Sequence, residues 1–133
     1  MYDAGSQLRT VRAVSPQFAA ATATVEGVVI DGLGFRSAVF TAITGAATGT
    51  PTGISVACRL QHGTLANGSD MADVTGATAT ITAVDSAAEI NVTLRGLRRY
   101  VRIVQALALS GGTTPTLAVA ATATLGQPKV GPA

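Results

Sequence analysis

Ile54-Ser55-Val56-Ala57-Cys58-Arg59-Leu60-Gln61 is the stretch on which the fold class turns. Ile54, Val56, Cys58 and Leu60 take alternate positions, with Ser55, Ala57, Arg59 and Gln61 between them. Successive side chains of a strand point to opposite faces, so this alternation predicts a β-strand with one buried face. The same period extends outward in both directions. Upstream, residues 22–30 read as a strand ending at Asp31-Gly32. Residues 35–44 read as the next, with Phe35, Val39 and Ile43 on one face and Arg36, Phe40 and Thr44 on the other. Residues 45–53 (GAATGTPTG) form a loop. Downstream, residues 62–73 read as a longer loop with an Asn67-Gly68 turn. Strands follow at 78–84, 89–95, 99–109 and 115–125, with Gly111-Gly112 turning the last hairpin.

About seven or eight short strands, punctuated by Gly, Pro, Asn and Asp, have the spacing of an all-β antiparallel sandwich or barrel. No segment joins helix capping to an apolar 3.6-residue period. The Ala-rich run 18–23 allows one helical turn, and its threonine argues against a longer helix. The ends differ from the middle. Residues 1–21 hold Arg9, Arg12 and Pro16 with little alternation, and 127–133 (QPKVGPA) cannot sustain a strand. The expected organisation is an extended N-terminal arm over 1–21, a sandwich domain over 22–126 and a tail over 127–133.

The chain has 133 residues, enough for one domain with its own core. Ala and Thr make up about a third of it, charged residues are 12%, and mean hydropathy is +0.42. Disorder goes with the opposite composition. An ordinary soluble domain carries roughly 25% charged residues. A surface this poor in charge is expected to be covered by other subunits; the alternative is solvation by Thr and Ser hydroxyls. The net charge of +2 gives no reason to expect a nucleic-acid partner. No run of about 18 apolar residues argues for a membrane helix. The opening MYDAGS lacks the basic and apolar regions of a signal peptide. The single cysteine, Cys58, excludes an internal disulfide framework.

The inventory for catalysis is thin. His62 is the only histidine, and with Cys58 it makes half a zinc site at most. Cys58 sits on the apolar face of its strand, where a thiol is inert. Asn67, Asp70 and Asp73 could offer oxygens to calcium, but without EF-hand spacing, and a solvated turn explains them better. Asp31-Gly32-Leu33-Gly34 lacks a following helix and reads as a hairpin turn. Asn67-Gly68-Ser69 and Asn91-Val92-Thr93 match the glycosylation pattern and read as chance matches. No catalytic residue, cofactor site or metal site is assigned. The remaining enzymatic alternative is a hydrolase using carboxylates among Asp70, Asp73 and Glu89.

One cluster stands out: Arg95, Arg98, Arg99 and Arg102, with Tyr100 among them. On a strand, Arg98, Tyr100 and Arg102 share one face and Arg99 takes the other with Val101 and Ile103. The planar guanidinium fork suits carboxylates at protein interfaces. Together with Arg9 and Arg12 of the expected arm, these residues are the candidate partner interface. A solvated sheet edge kept apart from other edges by its charge is the competing explanation.

Three stretches carry a resemblance: Asp31-Gly32-Leu33-Gly34-Phe35 leading into a strand, Arg99-Tyr100-Val101-Arg102 opening a long one, and Leu125-Gly126-Gln127-Pro128 near the end. In this setting the sequence resembles the small Ala/Thr/Gly-rich virion proteins of tailed bacteriophages that accompany a major capsid protein, the decoration or cement proteins. The resemblance implies a jelly-roll-like β-sandwich, homo-oligomeric as a dimer or trimer, bound to the major capsid protein at the capsid surface of the virion. The alternative is a tail, fibre or spike component, or a receptor-binding module. Three Phe, two Tyr and no Trp leave little for sugar stacking in such a module.

Overall fold

The computed structural model describes residues 8–128. Nine strands occupy them: β1 (Arg9–Ala20), β2 (Thr24–Glu26), β3 (Ile30–Asp31), β4 (Phe35–Thr48), β5 (Gly53–Gly63), β6 (Ala72–Ile81), β7 (Ala87–Thr93), β8 (Tyr100–Ser110) and β9 (Thr116–Pro128). All pairings are antiparallel. One sheet runs β1-β9-β4-β7; the other runs β2-β8-β5-β6, with β3 also on β8. β2 and β3 are two pieces of one strand position beside β8. Counted so, eight positions in two four-stranded sheets give the double Greek-key order of a jelly roll.

Only the β5–β6 connection stays within one sheet; the other turns arch from sheet to sheet. Gly111-Gly112 and Asp31–Gly34, whose residues read locally as hairpin turns, are arches between the sheets instead. Alternation in the sequence assigns faces, and it carries no information about which sheet the next strand joins. Gly111 and Gly112 have φ of +76° and +71°, a region open to glycine, in the arch from β8 to β9.

The core lies between the two inner faces. Phe40, Val56, Leu60, Val101, Ile103, Leu117 and Leu125 are essentially fully buried there. The alternation from Ile54 to Leu60 reads correctly, with Val56, Cys58 and Leu60 inward. In β4 both faces are apolar, and the structure turns Ala38, Phe40, Ala42 and Thr44 inward. Val39 and Ile43 therefore point outward. Among the described residues two polar side chains join the core, Thr44 and Gln105. The Thr44 hydroxyl donates to the Ala83 carbonyl at 2.7 Å and accepts from the Ser86 amide at 3.1 Å, anchoring the β6–β7 turn. Gln105 reaches from β8 to the opposite sheet, donating to the Ala120 carbonyl at 3.2 Å.

The break between β2 and β3 joins the sheets through backbone. The Gly27 amide donates to the Ile103 carbonyl in one sheet, and the Val28 amide to the Ala13 carbonyl in the other, both at 2.8 Å. A Cβ on Gly27 would lie 2.6 Å from the Ala13 oxygen and 2.7 Å from the Ile103 oxygen. Glycine alone fits this close approach.

The expected N-terminal arm gives way over Arg9–Ala20, which form β1 and pair with β9 from Arg9↔Leu125 to Ala20↔Thr116. Alternation fails in the sequence because β1 carries register shifts between Arg12 and Val14 and between Val14 and Gln17. These bulges swap the faces mid-strand and accommodate Pro16, which an edge strand tolerates. β9 likewise runs to Pro128, into the expected tail. Residues 1–7 and 129–133 of the expected arm and tail lie outside the described residues.

Candidate functional site

Strand polarity places the candidate arginines. β1 and β4 begin, and β7 and β9 end, at the same end of the sandwich, where β8 starts and β5 stops. This end gathers Arg9 from β1, Arg36 from β4, and Arg95, Arg98 and Arg99 from the β7–β8 loop. Arg36 and Arg95, with Leu94, Gly96 and Leu97, line an open cleft of about 530 Å³. At the opposite end, the turns 49–52, 82–86 and 111–115 carry Asp85 as their one charge.

Within the arginine end, each side chain has its own setting. Arg99 donates to both Asp31 carboxylate oxygens, at 3.0 and 2.8 Å, a bidentate pair. Its guanidinium carbon stands 5.1 Å from the centre of the Tyr100 ring. The pair holds the Asp31 carboxyl below its ordinary range, and the charge of Arg9 adds to this. Asp31 also accepts from the Leu33 amide at 2.9 Å, which fixes the turn into β4. Arg98 is held through its backbone: its amide donates to His62 Nδ1 at 3.1 Å. Burial, then the charge of Arg98, pushes the His62 pKa below 6.5. Arg9, Arg36, Arg95 and Arg98 form no ion pair among the described residues.

The sequence-based grouping divides into three. Arg9, Arg95, Arg98, Arg99 and Tyr100 do converge on this end. Arg99 lies before β8, pointing to solvent, instead of sharing the inward face of Val101 and Ile103. Arg102 stands on the outer face of its sheet, bonded to Gln61 at 2.9 Å and paired with Glu26 at 3.4 Å. Arg12 stands on the outer face of the other sheet, in register with Thr122. Arg36 escapes the sequence reading because only the antiparallel β4–β7 pairing brings it beside Arg95.

The other candidates are occupied structurally. Asp70 accepts from the amides of Thr64 at 2.9 Å and Leu65 at 3.1 Å, and from the Thr64 hydroxyl. These bonds, the hydroxyl's first, lower its pKa to about 2. Asp73 accepts from Gln61 at 2.9 Å and Arg59 at 3.1 Å. Asn67 caps the loop through the Ser69 amide. Burial raises the Cys58 thiol to about 11, far from a reactive thiolate. Among the described residues no group of three or more His, Cys, Asp or Glu is placed to hold a metal ion, and no helix is long and apolar enough to cross a membrane.

The two outer faces differ in character. On the β2-β8-β5-β6 sheet, Glu26, Arg102, Gln61, Asp73 and Arg59 form one chain of bonds across all four strands. On the β1-β9-β4-β7 sheet, the outward residues are mostly Ala, Thr, Val, Ile and Phe, with Phe18 61% and Ile43 40% exposed.

No protein-family model matches the chain, and no curated protein matches it. Among solved structures, a chain of infectious bursal disease virus, Gx strain, superposes with a TM-score of 0.58 at 12% identity, over 90% of this chain. This chain spans 32% of the length of that one. The SPBc2 prophage-derived protein YomS aligns over 90% of this chain and 93% of its own, with a TM-score of 0.46 and 11% identity. What the viral chain shares with this one is the fold: two antiparallel sheets packed as a sandwich.

Proposed function

We propose that this chain is a structural virion protein, a decoration (cement) protein that docks through its arginine end onto the major capsid protein of a tailed bacteriophage. The observation that carries this reading is the one-sidedness of its charge. Five arginines crowd one end of a sandwich with 12% charged residues, while the other end has no cation among the described residues. Guanidinium forks set around apolar Leu94 and Leu97 suit carboxylates on a protein surface. Such complementarity speeds encounter and fixes orientation more than it adds affinity. Over many equivalent shell sites, modest individual contacts sum to a stiffer particle. The fold supports the reading, since jelly rolls recur in viral shells, although a fold by itself does not assign a function.

The test is cosedimentation of the purified chain with phage heads assembled without it. Saturable binding at a fixed ratio to capsid subunits, with heads that resist heating better, is the expected result. The double reversal Arg36→Glu/Arg95→Glu should weaken binding, and added salt should do the same. Binding to isolated tails, with none to heads at micromolar concentration, would replace this reading with that of a tail component.

A further inference from the structure

We propose that the outer face of the β1-β9-β4-β7 sheet binds a second copy of this chain about a two-fold axis parallel to the strands. The inference is independent of any capsid partner. It rests on where the charges of that face lie. Among the described residues the face carries one cation, Arg12 on β1, and one anion, Glu89 on β7. Both belong to one cross-strand row: Arg12 is in register with Thr122, Thr122 with Thr41, and Thr41 with Glu89. Neither forms an ion pair among the described residues.

β1 and β7 are the two edges of this sheet, and β9 and β4 its centre. A two-fold axis laid along the strands between β9 and β4 exchanges the edges. It sets Arg12 over the partner's Glu89 and Glu89 over the partner's Arg12. A two-fold axis across the strands along this same row would set Arg12 against the partner's Arg12. The face is therefore self-complementary in one orientation and repulsive in the other, as an isologous contact requires.

Shape agrees with charge. In the next row, Ile43 on β4 is in register with Ala120 on β9. The same axis sets Ile43 over the partner's Ala120, large against small, twice. Val39 likewise falls over the partner's Thr124. With strands about 4.8 Å apart and about 3.4 Å per residue, ten rungs of β1, β9 and β4 with the seven residues of β7 cover roughly 600 Å². Two copies would bury roughly 1,200 Å², at the lower bound of specific interfaces. Face-to-face sheets pack about 10 Å apart and within about 30° of alignment, which Arg and Glu side chains can span. The other sheet offers no equivalent, because its charges are already paired within the chain.

Sedimentation-velocity measurements across the micromolar range test this with charge reversals at exposed positions. The wild type should show a monomer–dimer equilibrium. Arg12→Glu and Glu89→Arg should each raise the dissociation constant by about tenfold or more. The double variant Arg12→Glu/Glu89→Arg should return it to within about threefold of wild type, because the swap restores both pairs. Thermal melts of each variant check that the fold persists, and Ile43→Asp gives an independent way to break the contact. A wild type monomeric at high micromolar concentration would overturn the proposal. So would a trimer, or a dimer that neither single reversal weakens.

Discussion

Replacing Gly27 with alanine adds one methyl group at the point where backbone ties the two sheets together. The new Cβ would sit 2.6 Å from the Ala13 oxygen and 2.7 Å from the Ile103 oxygen, against an ordinary contact of 3.4 Å or more. At least 0.8 Å (3.4 − 2.6) of movement is needed on one side and 0.7 Å (3.4 − 2.7) on the other. The obstructing atoms are carbonyl oxygens in opposite sheets, so no side-chain rotation gives relief. Either the sheets part or residues 27–28 lift away, stretching the two 2.8 Å bonds from Gly27 and Val28. Overpacking of this kind costs about 1–3 kcal/mol, and each weakened backbone bond adds up to about 1 kcal/mol. The sum, about 1–5 kcal/mol, is a large part of a typical folding free energy of about 5–15 kcal/mol. For a chain of this size it corresponds to a Tm lower by roughly 10 °C. Urea titration followed by circular dichroism, with a thermal melt alongside, measures it; the m-value should stay unchanged. Gly45→Ala is the control, since its Cβ would meet only the Ala118 methyl, at 3.2 Å. If Gly27→Ala melted within about 2 °C of wild type, less than 1 kcal/mol on the same scale, the backbone tie would not exist as described.

Three further substitutions probe the interior and the arginine end. Thr44→Val keeps the shape but strips the Ser86 amide and Ala83 carbonyl of their partner, and should cost about 1–3 kcal/mol in chemical denaturation. Gln105→Glu places a carboxylate at a fully buried site with no cation beside it, and should cost about 3–5 kcal/mol at neutral pH. Because burial raises the pKa of that carboxyl, the deficit should shrink as pH falls towards about 4; a pH-independent deficit would mean that the site admits water. His62 accepts the Arg98 amide only when Nδ1 is unprotonated, and its folded pKa lies below 6.5. A base depressed in this way contributes stability above its unfolded pKa and loses it as pH falls through the folded value. Exchange of the Arg98 amide, corrected for its intrinsic rate, should therefore quicken on acidification below about 6.5, and His62→Phe should remove the dependence.

Much of the architecture was legible because alternation is a direct record of burial. Spacing alone places Val56, Cys58 and Leu60 inward, and all three are buried. β4 shows where the record fails: with Phe35, Val39 and Ile43 against Phe40, either face could be the core. β1 was illegible for a different reason. Its two register shifts move Arg12, Val14 and Gln17 out of any single period, so a paired strand looks like an arm. The arches at Gly32 and Gly111 carry ordinary turn residues, and nothing local distinguishes a turn within a sheet from one between sheets. The arginine end was half legible. Arg95, Arg98 and Arg99 are neighbours in sequence, whereas Arg36 joins them only through long-range pairing. Arg12 and Arg102 fell away because the two sheets turn their outer faces in opposite directions.

The antiparallel pairing of β1 with β9 decides how the molecule would respond to force. β1 begins at Arg9, beside the end of β9. Tension between those two points would load the rungs one after another and peel the pair open like a zipper. Pressure spread over a broad sheet face would instead be shared among four strands at once and passed to the other sheet through residues 27 and 28. A body built this way withstands squeezing better than being pulled apart at the start of β1 and the end of β9.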